Sequence, residues 1–242
     1  GSDANPAGEI TWANRPGLLA PPGGQGGRIS LSATDPGNLV WLQESGAVWC
    51  SKDRGVTWAR GMRDGAALTA DAMSEFSTSR NALGADRVAA DTFYLYAKTG
   101  GGTVYRSADG GATWSTLVAG IGSAESYKLL AEPGAAGKFW YVDHNWNVAS
   151  RFKRWNGASM ATVSGVAGVV EFAFGAAGPG RANPAVYARK SDGTYWLSLD
   201  ATAGETSTWT ALDAPPVHCQ PTTMEADRRK FGWLYVGTGG RG

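Results

Sequence analysis

An eight-residue string occurs twice in this chain, and it constrains the fold more than any other feature of the sequence. Ser107-Ala108-Asp109-Gly110-Gly111-Ala112-Thr113-Trp114 matches Ser51-Lys52-Asp53-Arg54-Gly55-Val56-Thr57-Trp58 at five positions: Ser, Asp, Gly, Thr and Trp. Each of these residue types serves a tight reversal. The Asp carboxylate folds onto nearby backbone N–H groups, glycine supplies positive φ, and the Ser and Thr hydroxyls add short bonds to the backbone. The Trp fills the space beneath as the next strand starts. Ser51, Asp53, Gly55, Thr57 and Trp58 are therefore expected to build a turn, as are Ser107, Asp109, Gly111, Thr113 and Trp114. Both carboxylates are then consumed locally. An EF-hand reading fails, because the alternating oxygen ligands and the closing Glu of that loop are missing.

The rest of the chain suits many short strands joined by turns. Of 242 residues 35 are Gly and 11 are Trp, 43% are hydrophobic and only 18% are charged, which points to an all-β fold. No run of 18 apolar residues occurs, so no membrane span is expected. A net charge of +1 without Lys/Arg clusters argues against a nucleic-acid partner. Gly1-Ser2 reads as an expression scar, so a secretion signal would already be gone. Cys50 and Cys219 fall at opposite ends of their strands and are expected to be unpaired thiols. His144 and His218 are the two histidines and no Cys/His ligand spacing appears, so neither a metal nor a cofactor is expected.

Around the two strings the chain divides into units of four strand candidates, at residues 28–60, 87–118, 127–163 and 169–212, with a partial unit at 222–242. The second unit is expected to open with a strand at Arg87-Val88-Ala89-Ala90. Residues 1–27 read as a linker and closing strand, the strand candidate lying at 10–13. Residues 61–86 read as an insertion, partly helical around 66–76. Ser51 and Ser107 are 56 residues apart, and Ser107 and Ser198 are 91 apart, with a degenerate turn at Trp155-Asn156-Gly157 between them. A period of roughly 40–50 residues carrying four strands is the signature of a β-propeller, whose blades bury both faces only by stacking. Four complete blades plus a partial terminal one leave two forms open: a five-bladed ring closed by the terminal strand, or part of a seven-bladed ring.

The repeated string resembles the Asp-box, or BNR repeat, of sialidases, sortilin-type receptors and several glycosidases. A second resemblance lies at the C-terminus, in Thr208-Trp209-Thr210-Ala211-Leu212-Asp213, then His218, then the run Asp227-Arg228-Arg229-Lys230-Phe231-Gly232-Trp233-Leu234-Tyr235-Val236-Gly237-Thr238-Gly239-Gly240-Arg241-Gly242. This resembles the closing segment of glycoside hydrolase family 74 propellers. Residues 26–33 followed by Val40-Trp41 are similar to the later blades of the second propeller in that family. The resemblance implies an extracellular, secreted protein related to xyloglucanases, which face two seven-bladed propellers across a cleft. It also implies two catalytic aspartates, one per propeller, the second in a Gly-Asp-x-x-Gly-Phe context. No Gly-Asp dipeptide occurs in this sequence. The isolated chain is therefore expected to be catalytically silent, with a partner fragment or second propeller completing the ring.

In a propeller the connections alternate between two ends. The repeated strings join third and fourth strands at one end. Hairpins between second and third strands, and the blade-to-blade links, lie at the other. There Asp143-His144-Asn145-Trp146-Asn147 stands out as a polar hairpin tip holding an indole, since an exposed Trp leaves about 1–2 kcal/mol of apolar burial unrealised. Trp146 suits stacking on a sugar ring while His144, Asn145 and Asn147 meet hydroxyls, or it packs beneath the insertion. His218, in the Pro-rich link at 214–220, matches a family histidine near the cleft, or the connector simply orders itself. The insertion offers Arg63, Asp64, Asp71 and Glu75 on a long loop, where function often resides. Inverting hydrolysis needs two carboxyls roughly 6.5–9.5 Å apart, and Asp143 with Asp64 or Asp71 is the available pairing. Asp192 reads as a turn residue. No catalytic residue is assigned. The function expected is recognition of a polysaccharide or oligosaccharide without catalysis. The alternatives are an inverting endo-glycoside hydrolase of family 74 type and a sortilin-like propeller that binds protein or peptide.

Overall fold

Side chains alternate across a strand, and in this chain both faces are apolar. Within the strand Phe139–Asn145, Phe139 and Tyr141 join one buried cluster while Trp140 and Val142 join another. Sheets made of such strands must be covered on both sides. The computed structural model describes residues 26–71, 80–145, 148–203, 207–213 and 221–238, and its sheets stack face to face as that requirement demands.

Sheet I contains Arg28–Leu31, Leu39–Leu42, Val48–Ser51 and Ala59–Arg60. Sheet II contains Leu83–Ala85, Phe93–Ala97, Thr103–Ser107 and Ser115–Ala119. Sheet III is built from Ser126–Ala131, Phe139–Asn145, Val148–Trp155 and Met160–Thr162, with Arg80–Asn81 added as a fifth strand beside the first, and sheet IV from Val169–Ala177, Pro184–Lys190, Tyr195–Ser198 and Thr210–Leu212. Sheet V has Pro221–Ala226 and Leu234–Thr238. Apart from Arg80–Asn81 these strands run antiparallel in chain order, so each set of four is a meander. First strands of successive sheets touch, Arg28–Leu31 against Leu83–Ala85, the latter against Ser126–Ala131, and Val169–Ala177 against Pro221–Ala226. One buried cluster runs through sheets I to III, a second lies between III and IV, and a third between IV and V. The fold is all-β, its four-stranded sheets set out as propeller blades.

Polar ties reinforce the stacking. Asn38 of the first sheet donates to the Asp91 carboxylate at 2.6 Å. Arg154 grips Glu132 with two nitrogens at 2.8 and 2.9 Å and also bonds the Thr202 carbonyl, linking sheets III and IV. Lys128 is buried; its ammonium reaches Glu171 at 2.6 Å, the Met224 carbonyl at 3.0 Å and Glu225 at 3.3 Å, joining sheets III, IV and V. Cys50 is a buried free thiol, pushed up from its ordinary pKa by that burial.

Two expectations need correction. The first strand of sheet II is Leu83–Ala85, and residues 87–91 form the turn after it. Asp86, fully buried, causes the difference: its Oδ1 accepts the N–H groups of Val88 and Ala89 at 2.8 and 2.7 Å, which curls the backbone. Its Oδ2 takes the Tyr94 hydroxyl and the Gly137 N–H, both at 2.7 Å, so the same carboxylate ties sheet II to sheet III. Over its described part the insertion is also not helical. Met62–Arg63 and Ala66–Ala67 pair as a small hairpin turned by Asp64 (φ 50) and Gly65 (φ 78), the Asp-Gly chemistry of a two-residue turn. The chain then bonds the hairpin between the second and third strands of sheet I, through Ala70 N–H to the Gly46 carbonyl. Arg80–Asn81 runs parallel to Tyr127 and Lys128 of sheet III. The strand candidate at 10–13, together with Glu75, Trp146, Asn147, His218 and Cys219, lies outside the described residues, as does the side chain of Asn145.

Candidate functional site at the hairpin end

The meander order sends the turns between third and fourth strands to one end of the sheets. At that end Ser107 Oγ donates to Asp109 Oδ1 at 2.8 Å and accepts from Gly111 N–H at 2.8 Å, while Thr113 gives Asp109 its N–H and, at 2.6 Å, its hydroxyl. Trp114 closes the unit by donating to the Gly111 carbonyl at 2.8 Å. Ser51, Asp53, Gly55, Thr57 and Trp58 repeat the same set. Ser198 and Asp200 make a stretched version that reaches Thr208 at 2.9 Å. Bonds from Thr57 and Ser51 hold Asp53 down to about 2. For Asp109 burial pushes upward, but the bonds from Thr113 and Ser107 outweigh it and the pKa is lowered. Carboxylates committed in this way have little left for a ligand.

The opposite end holds the hairpins and the links between sheets. Asp143 is its most distinctive residue. It is fully buried and sits directly across the ladder from Arg151, whose Nε and one terminal nitrogen donate to its two oxygens at 2.8 Å each. A bidentate pair of this kind fixes direction as well as distance. Gly122, from the link between sheets II and III, closes over it with φ +127; a Cβ there would lie 2.4 Å from Arg151 Nε and 2.9 Å from Asp143 Oδ2. Two tyrosines converge on the Gly122 carbonyl, Tyr96 at 2.7 Å and Tyr141 at 3.3 Å, and their rings lie 4.8 Å apart. Burial drives both hydroxyls far above their usual pKa, so they stay neutral donors. Asp143, Arg151, Gly122 and the tyrosines together clamp the base of the hairpin formed by Phe139–Asn145 and Val148–Trp155.

His144 follows Asp143 and pairs with Ser126 across the ladder. It is half-buried; burial first, and the Arg189 charge second, lower its pKa below the ordinary histidine value. At neutral pH it is an uncharged imidazole that both donates and accepts. Asp71 accepts the N–H of Lys98, whose ammonium bonds Glu125 at 2.7 Å. Asp64 is strongly exposed and pairs with Arg63 at 3.1 Å. Arg63 lies over the Tyr105 ring at 4.8 Å and donates to its hydroxyl at 2.9 Å, on a strand whose Met62 bridges to Thr113 at the turn end. No contact brings Arg63 to His144 among the described residues. Asp143 has both oxygens engaged, so it is no free partner for Asp64 or Asp71. Asp192 accepts the N–H and hydroxyl of Thr194 at 3.0 and 2.6 Å, a turn arrangement that holds it at about 2.

Sequence reasoning missed the Asp143–Arg151 clamp and the Lys128–Glu171 pair. Both depend on which residues face each other across a ladder or a seam between sheets, and no local motif announces either.

No family model matches the chain. Curated relatives do. A xyloglucanase from a Paenibacillus species is 31% identical over 229 residues, covering 92% of this chain and 20% of the relative. A probable oligoxyloglucan-reducing end-specific xyloglucanase from Neosartorya fischeri is 31% identical over 180 residues, covering 66% of this chain and 20% of its own length. This chain thus spans about one fifth of these relatives. Among solved structures, the family 74 xyloglucanase from Xanthomonas campestris superposes with a TM-score of 0.68 at 24% identity, covering 93% of this chain and 30% of that one. In sequence and in fold the chain is similar to the xyloglucanases of glycoside hydrolase family 74.

Proposed function

We propose that this chain recognises a polysaccharide of the xyloglucan type through its hairpin end and does not hydrolyse it alone. The observation that carries the reading is the clamp at Asp143, Arg151 and Gly122. It holds one hairpin base rigidly at the end where the carboxylates of the repeated turns are absent. Likeness to xyloglucanases over most of the chain supplies the ligand class. Preorganisation lowers the ordering cost of binding, and the neutral His144 suits sugar hydroxyls, which donate and accept. In this reading Asn145 and Asn147 add hydroxyl contacts, Trp146 stacks on a sugar ring and His218 approaches the same rim, while Arg63 belongs to the seam of sheets I and II. Catalytic silence is supported by Asp143, a carboxylate sealed and doubly bonded rather than poised for acid–base work. The protein acts outside the cell, where such polysaccharides are found. Exposed Ile29 and Leu31 on sheet I, and Trp233 and Tyr235 on sheet V, are faces that further blades of a longer ring would cover.

Calorimetric titration with xyloglucan oligosaccharides and mixed-linkage glucan, run beside a reducing-sugar assay, tests the proposal. Binding that weakens on His144→Ala and Trp146→Ala, without release of sugar, is expected. Absence of binding would sink recognition. Robust oligosaccharide release would sink the silent reading and move the assignment to an endo-hydrolase.

A further inference from the structure

Polar atoms sealed from water nearly always have partners, because an unpaired one forfeits about 1–3 kcal/mol. Arg189 Nε and the Tyr195 hydroxyl are both sealed, and among the described residues neither has a hydrogen-bond partner. They are also neighbours: Arg189 stands across the ladder from Glu171 on one side and from Tyr195 on the other. The three side chains share one face of sheet IV, at the hairpin end, where residues 190–194 turn from one strand to the next. Tyr195 is only 2% exposed, whereas Arg189 is half-buried. Glu171 does not serve as the counter-group of Arg189, since Lys128 holds it at 2.6 Å. By contrast, Lys190 beside it is settled, with Asp192 at 3.0 Å and the Trp196 ring at 5.4 Å. A partly desolvated guanidinium next to a sealed phenol, neither with an acceptor among the described residues, is an incomplete hydrogen-bonding set.

We propose that Arg189, with Tyr195 beside it, is a subsite for the hydroxyl groups of a neutral glycan. The subsite rests on the polysaccharide-recognition reading and gives it a second anchor, on the face of sheet IV turned toward sheet V. Charge selects the ligand class. Lys128 and Arg189 are balanced by Glu171 and Glu225, so the cluster carries no net charge and does not favour an anion. Its donors are the guanidinium nitrogens, and its dual donor–acceptor is the phenol of Tyr195. That mixture matches vicinal hydroxyls, each of which accepts and donates. A sugar hydroxyl at the accessible part of Arg189 lets the guanidinium turn and gives Nε and the phenol the acceptor they lack.

The test uses the full chain, a neutral xyloglucan oligosaccharide and a uronate oligomer, with affinity read by calorimetry and stability by thermal unfolding. Arg189→Met is expected to weaken the neutral ligand about tenfold, and Arg189→Lys, which keeps charge but not the planar fork, nearly as much. Tyr195→Phe loses no bond within the protein, so its Tm stays level or rises while affinity falls a few-fold. Neutral-ligand binding within twofold of the parent for Arg189→Lys and Tyr195→Phe overturns the subsite yet leaves polysaccharide recognition standing. A Tm loss of several degrees in Tyr195→Phe overturns it too, by exposing a structural partner for the hydroxyl. Tighter binding of the uronate overturns the neutral class. Failure of the parent chain to bind any glycan removes the broader reading and the subsite with it.

Discussion

Replacing Arg151 by Met is expected to cost far more stability than replacing Asp143 by Asn, although both break the same pair. Asp143 has no exposed surface, while the Arg151 side chain is 33% exposed. Taking away the guanidinium strands a carboxylate in the interior, a change that costs about 3–5 kcal/mol when the survivor has no route to water. Neutralising Asp143 leaves an arginine that can swing partly into solvent, so the cost falls to about 1–2 kcal/mol after discounting for that exposure. The double variant should recover most of the Arg151→Met loss, because neither charge then remains buried alone. Urea unfolding followed by tryptophan fluorescence and by far-UV circular dichroism gives the three values, provided the transition slopes agree between variants. Refutation is simple. If Arg151→Met costs less than Asp143→Asn, Asp143 is not the sealed member of the pair. It then becomes available as a free carboxylate, and the case for a silent propeller weakens with it.

Three further outcomes follow from the same geometry. Gly122→Ala should cost at least about 2–3 kcal/mol in denaturant unfolding, because its Cβ would meet Arg151 Nε at 2.4 Å. Gly134→Ala, at φ +75 with open space around it, serves as the control and should cost only about 1–2 kcal/mol. Arg54 sits at φ 63 where the second string has Gly110 at φ 80, so Arg54→Gly should stabilise by roughly 0.5–1 kcal/mol, visible as a raised Tm. Asp53 and Asp192 are each held at about 2, below the usual carboxylate range, so the stability they add is present above about pH 4 and lost as pH falls towards 2. A Tm-versus-pH series should therefore flatten over that window in the Asp53→Asn, Asp192→Asn double variant.

Local turn chemistry made much of the fold legible in the sequence. Ser51–Trp58 and Ser107–Trp114 carry their own bonding partners within eight residues, so the reversal and the strand after it can be read directly. Asp86 shows where such reading fails. Val88-Ala89-Ala90 looks like a strand, yet the carboxylate just before it bonds two of their N–H groups and Val88 is left 45% exposed. The Ala-rich run after Met62 misled for a similar reason, since Asp64-Gly65 makes a hairpin whatever the helix propensity of its flanks. At the candidate site His144 was visible as an odd hairpin residue. The Asp143–Arg151 clamp and the Arg189–Tyr195 pair were not, because each needs the register of a ladder. The carboxylates of the two strings are engaged by the Ser and Thr of their own turns, at the end of the sheets away from the hairpins.

Hydrogen exchange with and without a xyloglucan oligosaccharide tests the central claim most directly, because it reports on both ends of the sheets in one experiment. Binding at the hairpin end should slow exchange in residues 120–128, 141–151 and 187–195 while leaving 51–58 and 107–114 unchanged. Protection confined to the turn strings, or no ligand-dependent protection anywhere, would contradict it.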